Sequence, residues 1–191
     1  MSTGTEVKPN SRERLLEAAS DLAYQDGVGI GVEALCKAAG VSKRSMYQLF
    51  DSKDELLAAG LEQRAARIKA SLIPPADAEL SPREAIMYVF ERLEESALQP
   101  RYKGCPYLAI QVELKDTEHP ASKVASRLKR EQQDFFQRQA ELGGADDAEF
   151  LARQLILIFD GASARAGIRA DDLRGLATRT AAALLDAAGV G

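Results

Sequence analysis

Gly40-Val41-Ser42-Lys43-Arg44-Ser45-Met46-Tyr47-Gln48-Leu49-Phe50 reads as a tight turn feeding a short helix with two unlike faces. At 100° per residue Met46, Leu49 and Phe50 fall on one side, and Arg44, Tyr47 and Gln48 on the other with Lys43 and Ser45 beside them. The first side is predicted to pack and the second to stay open. Gly40 suits the left-handed conformation that ends a preceding helix, and Ser42 can accept a bond from a first-turn N–H of the next. Two helices joined at so short a corner make a helix-turn-helix, whose second helix enters the major groove when the motif reads DNA. Arg44 and Gln48 offer paired hydrogen-bonding groups suited to base edges. The Lys43 ammonium and the hydroxyls of Ser42, Ser45 and Tyr47 suit phosphate oxygens, although the Tyr47 ring can equally brace the corner half-buried.

The whole chain frames this stretch. Its 191 residues, 46% of them hydrophobic, suffice for a small head and a larger body with a real core. A formal net charge of -4 excludes a protein that coats nucleic acid by charge alone, so binding must rest on a local basic patch of Lys43, Arg44 and Lys53. One such patch binds weakly, which favours a dimer that doubles the contacts. Residues 1–10 are polar, lack the apolar centre of a signal peptide, and are expected to form a disordered tail. No run approaches the roughly 18 apolar residues of a membrane span, so the cytoplasm is the expected compartment. There Cys36 and Cys105 are expected as free thiols, and with one histidine no metal site is expected. Cys105 sits at a helix start, which leaves open an acidified, oxidation-sensing thiol or an ordinary buried one. His119 is open between a partner for Asp116, a ligand contact and a plain loop residue before Pro120.

Start and stop signals predict about nine helices and no strand. Asn10 with Glu13, Ser52 with Glu55, and Ser81-Pro82-Arg83-Glu84 are capping boxes. Gly27, Pro74-Pro75, Pro100 to Gly104, His119-Pro120 and Gly143-Gly144 are breaks. Phe150 to Gly167 is apolar on almost every side and needs covering on two faces, and Leu173 to Leu185 carries a broad stripe of small and apolar residues. The fold class is therefore all-α. Neither a Gly-x-Ser-x-Gly turn nor a glycine-rich phosphate loop after a strand is present, and no catalytic constellation supports an enzyme.

The run from Arg12 to Leu57 resembles the DNA-binding domain of the tetracycline-repressor (TetR) family. Carrying the likeness are Arg14-Leu15-Leu16-Glu17-Ala18-Ala19, Gly27, Leu35, Ala39-Gly40-Val41-Ser42-Lys43, Met46-Tyr47, Phe50 and Ser52-Lys53-Asp54-Glu55-Leu56. The sequence departs from the family at Gly31, where a helix-opening hydroxyl is usual, at Cys36, where alanine is, and at Leu49, where histidine or tyrosine is frequent. The resemblance implies Arg44 and Gln48 as groove readers and Ser42, Lys43, Ser45, Tyr47 and Lys53 as phosphate contacts. It divides the chain into a head at 11–57 and a ligand-binding, dimerising body at 58–191. A pocket between the fifth and eighth helices is implied, for which the sequence offers Gln111 as an orienting amide and Met87, Phe90, Tyr107, Phe136 and Phe159 as lining. A dimer interface from the last two helices is implied, with Leu155, Ile158, Ala162, Leu173, Ala177 and Leu184 as candidates. The expected protein is a homodimeric repressor without cofactor, released from a palindromic DNA operator by a small-molecule effector. The alternative is a dimeric ligand-binding or interaction protein that has lost specific DNA binding, for which the losses at Gly31 and Leu49 speak.

Overall fold

A computed structural model describes residues 10–75 and 77–191; the expected tail thus falls, up to residue 9, outside the described residues. Those described form nine α-helices and no strand. They are α1 (Ser11–Asp26), α2 (Val32–Ala39), α3 (Lys43–Leu49), α4 (Lys53–Leu72), α5 (Pro82–Ala97), α6 (Pro106–Leu114), α7 (Pro120–Leu142), α8 (Ala148–Gly167) and α9 (Leu176–Ala187). None is long and apolar enough to cross a membrane.

Local chemistry sets most helix ends. Asn10 accepts from the Glu13 N–H while the Glu13 carboxylate accepts from the Asn10 N–H, and Ser81 and Glu84 do the same behind Pro82. The expected box at Ser52 is half formed. Ser52 Oγ accepts from the Glu55 N–H, but Glu55 turns back one residue further and takes the Asp51 N–H at 2.9 Å. Gly31 opens α2 without a side-chain cap, and Gly40 closes it at φ 63° and ψ 40°.

In the head, α1, α2 and α3 meet over Leu15, Leu35, Met46 and Leu56, each fully buried. Leu49 departs from the helical-wheel expectation. It is 40% exposed, because α3 ends at that residue and Phe50, in extended backbone, turns into the core instead. α1 lies on α4 so closely at Gly60 that a Cβ there would meet the Leu16 carbonyl oxygen and the Ser20 nitrogen at 3.1 Å. The rest of α4 packs against α7, so one helix floors the head and walls the body.

The body core centres on Phe90, stacked on Phe136 at 5.8 Å and edge-on to Phe159 at 6.4 Å. α8 and α9 close it, with a sidedness that corrects the sequence reading. Leu155, Ala162, Leu173 and Ala177, taken for dimer contacts, are buried inside the protomer. Ile158 and Leu184 are half-buried against the same core. The uncovered apolar side of the pair runs instead through Phe150, Leu157 and Ile168 of the α8 segment and Leu176 of α9. A helix apolar all round tells that two faces are covered, not which of them faces inward.

Two long-range contacts stitch the helix ends. Arg169 donates to the carbonyl of Ala97, the last residue of α5, and to those of Gln99 and Pro100 in the turn that follows it. α9 begins at Gly175, which has no side chain to cap it, and the Glu94 carboxylate of α5 supplies the cap, accepting from the N–H groups of Gly175 and Thr178 at 2.7 and 3.0 Å. Glu94→Ala should therefore act like removal of an N-cap and cost about 1 to 2 kcal/mol. The check is urea unfolding, in which the midpoint falls with the slope unchanged.

Candidate nucleic-acid interface and body cavity

α3 presents the open face expected of it. Arg44, Tyr47 and Gln48 are exposed, Tyr47 at 54%. Among the described residues Arg44 and Gln48 have no hydrogen-bond or ion-pair partner, and both point away from the Met46 side that α1 and α2 cover. Ser42 caps the helix, its Oγ accepting from the Ser45 N–H at 3.0 Å and pairing with Ser45 Oγ at 2.9 Å. Lys43 is held by Glu33 of α2 at 2.6 Å on the open surface, which lowers the Glu33 carboxyl and raises the Lys43 ammonium. An exposed pair of this kind contributes little and yields to a competing anion. Lys53 is less free than its sequence suggests, for its ammonium donates to the Val28 carbonyl at 3.2 Å.

The body encloses a cavity of about 730 Å³ between α4, α7 and the segment from Tyr102 to Tyr107. This lies in the range of small-molecule sites. Of the sequence candidates, Tyr107 and Phe159 line it. Phe90 and Phe136 are fully buried in the stack behind it, and Met87 is half-buried in the core without reaching it. Gln111 faces α7, its amide donating to Ser126 Oγ at 2.9 Å, one helical turn and more beyond the wall. Tyr107 and Gln111 share one side of α6, but only its first turn meets the space, and from Gln111 onward it meets α7. Missed were the α4 residues Arg64, Ala65 and Ile68 and the inward Ser163. No local signal marks them, since the wall forms by the crossing of distant helices.

Burial pushes the Cys105 thiol up, with Lys129 drawing it partly back, so the acidified alternative does not hold. Cys36 is buried and raised too, and both thiols are free. His119 caps α7 through Nδ1, which accepts from the Ala121 N–H at 3.1 Å, and its Nε2 lies 3.4 Å from Asp54 and not beside Asp116. Among the described residues no three His, Cys, Asp or Glu side chains gather as metal ligands do.

Residues 15–59 match the family model described as bacterial regulatory proteins, tetR family. Among solved structures the chain is similar to a protein of Streptomyces avermitilis assigned as a TetR transcriptional regulator. The two share 64% identity over 96% of this chain and 100% of that one, with a TM-score of 0.94. The chain belongs to the TetR family of transcriptional regulators. Two further structures share the fold at 23% identity: a TetR-family regulator of Streptomyces coelicolor (TM-score 0.83, covering 94% of this chain and 96% of that one) and NemR of E. coli in its reduced form (0.77, 92% and 95%). Among curated proteins none matches.

In this TetR-family regulator the helix-turn-helix and the cavity are joined by hydrogen bonds that sequence reading did not anticipate. Glu113 of α6 accepts from the Val28 and Gly29 N–H groups at 2.9 and 3.3 Å, in the corner between α1 and α2. It reaches them because Gly27 has no side chain; a Cβ there would sit 2.8 Å from the carboxylate. Lys53 holds the carbonyl of the same Val28 from the head side. Further along α1, the Tyr24 hydroxyl donates to the Gly104 carbonyl and accepts from the Lys103 N–H, at 3.1 and 2.9 Å. Arg64 stacks over the Tyr24 ring at 4.3 Å and pairs with Asp21. Tyr24, Arg64 and Gly104 all line the cavity, so its wall and the head share residues. Glu113→Ala should free the α1–α2 corner while leaving the fold intact. At about 1 kcal/mol for the lost bonds, the Val28 and Gly29 amides should exchange roughly fivefold faster in hydrogen-exchange NMR, and amides inside α6 should not.

Proposed function

We propose that this TetR-family regulator is a repressor that binds a palindromic operator in the cytoplasm as a homodimer, and leaves it when a small molecule fills the body cavity. Residues 11–57 form the DNA head and 58–191 the ligand-binding and dimerising body, with α4 spanning both. It works by binding and not by catalysis. The observation that carries the reading is the shared wall: Tyr24 and Arg64 border the cavity and hold α1, the helix on which α3 is seated. A ligand that displaces the segment around Gly104 or tilts α4 thereby moves the head. In a dimer that changes the distance between two recognition helices, which must match half-sites roughly 34 Å apart or a multiple of it.

Arg44 and Gln48 lie an i, i+4 step apart on the open centre of α3, which suits entry into the groove together, while Ser42, Lys43, Ser45 and Tyr47 lie toward the flanking backbones. Lys43 exchanges Glu33 for a phosphate, and Lys53 steadies the α1–α2 corner while offering its remaining donors to the backbone. Selection of bound sequences from random duplexes should enrich a palindrome. Arg44→Ala should flatten selection at one symmetric pair of positions and cost about 1 to 3 kcal/mol on the preferred site. Equal weakening on preferred and random duplexes would make Arg44 a phosphate contact instead.

The homodimer is placed on the open side of α8 and α9. Phe150, Leu157 and Ile168 recur at helical spacing there, Leu157 being 74% exposed, with Gly161 and Ala164 between them allowing close approach. Light scattering at micromolar concentration should give about twice 20.7 kDa for the native chain. Leu157→Arg should give the monomer mass with unchanged helicity, because the residue makes no contribution to the protomer core.

A further inference from the structure

The two ends of the cavity differ in chemistry. At the rim Arg127 is bonded to Glu62 and Glu131, and Arg64 to Asp21. Lys69, Asp134 and Arg138 complete that rim and stand in solvent. The inner end carries no unpaired charge among the described residues. Lys129, which lies 5.3 Å from the centre of the Phe159 ring, is held by Asp160 at 2.6 Å with both side chains largely buried. Burial raises the phenols of Tyr102 and Tyr107 and the thiol of Cys105, so at neutral pH all three are uncharged hydrogen-bond donors. Ser163 of α8 is fully buried on the cavity wall beside the Tyr102 phenol, which is near enough to interact with it, but its Oγ makes no hydrogen bond of regular geometry among the described residues. A buried hydroxyl left unpaired is costly, and a ligand atom that pairs with it recovers that cost. Its surroundings restrict how the position is held. The Ser163 carbonyl would lie 2.9 Å from a Cβ at Gly104, and a Cβ at Gly167 would lie 2.5 Å from the Lys103 carbonyl carbon, so the Tyr102 segment is pressed directly onto α8. Leu93, Leu128, Phe135 and Phe159 supply an apolar, partly aromatic enclosure.

We propose that the cavity takes a neutral aromatic compound bearing a carbonyl oxygen, with that oxygen accepting the Ser163 hydroxyl and the rings lying between Leu93, Phe135 and Phe159. An anionic group at the inner end is disfavoured because its charge would be buried beside Lys129, which already has its carboxylate in Asp160. This inference rests on the reading of the cavity as the effector site, and it is tested separately from that reading by binding to the protein alone.

Three probes of one shape separate the possibilities: 2-acetylnaphthalene with a neutral acceptor, 2-ethylnaphthalene with none, and 2-naphthoate with a charged one. Isothermal titration calorimetry on the full-length protein should show the ketone binding at least roughly tenfold more tightly than the carboxylate, the penalty of leaving a buried charge unpaired. Ser163→Ala should weaken the ketone roughly 2- to 10-fold and leave the ethyl compound unchanged, which a general loss of packing would not do. Carboxylate binding as tight as that of the ketone would overturn the ligand class. Equal affinity of the ketone for native protein and Ser163→Ala would overturn the placement, and failure of all three probes to bind at millimolar concentration would overturn the proposal whole. The ketone binding as expected without altering operator affinity would instead leave the ligand class standing and remove the effector reading.

Discussion

Everything that connects the two halves of this molecule depends on how closely α1 can lie against α4. At Gly60 a Cβ on α4 would press on the α1 backbone at 3.1 Å, so the two helices approach backbone to backbone along the Leu16–Ser20 turn. α4 is about 30 Å long, and a helix of that length transmits a tilt rather than absorbing it. Its far half lines the cavity through Arg64, Ala65 and Ile68. A helix floored so tightly at one end and bordering a cavity at the other makes the two environments mechanically adjacent, although no residue of α3 approaches the space itself.

The acidic chain and its basic-faced recognition helix are reconciled by the pairing of Lys43 with Glu33. Free of DNA, the ammonium is already neutralised by a carboxylate on the neighbouring helix. If a phosphate takes the place of Glu33, as proposed, one anion replaces another at an exposed site, an exchange with a small net free energy. Such a protein gains less from indiscriminate attraction to phosphate than its lysine count suggests, and a larger share of its discrimination falls to groups that meet bases.

What the sequence disclosed was local. Caps at Asn10, Ser42 and Ser81, the left-handed Gly40, the prolines ahead of α5, α6 and α7, and the two-faced α3 each act within a few residues, and each appears where its neighbours place it. Non-local features were hidden. Glu94 capping α9, Arg169 gathering the carbonyls at and just beyond the end of α5, and Glu113 at the α1–α2 corner join residues some 70 to 85 positions apart. Nothing in the spacing of a lone glutamate distinguishes one on the solvent side from one that holds a distant backbone. The cavity was misjudged for a related reason. A periodic stripe shows which residues share a face, as Tyr107, Ile110 and Gln111 do, but not whether that face meets a helix or a space, and Gln111 meets a helix. Leu155 and Leu157 make the same point on α8: two residues apart, equally apolar, one fully buried and the other mostly bare.

One of the joints between head and body, the Glu113 contact at the α1–α2 corner, is made with the backbone of the head, apart from the side-chain joint of Tyr24. Glu113 and Lys53 grip the N–H and C=O groups of Val28 and Gly29, which every amino acid except proline presents in the same way. α3 packs on α1 and α2, and its side chains take no part in that grip. The open face of α3 and this grip are thereby made from separate residues. On the proposed function, a lineage bearing this scaffold would drift to a new binding sequence by substitutions at Arg44 and Gln48 while the grip on Val28 and Gly29 is inherited unaltered, and an engineer would graft across the same seam.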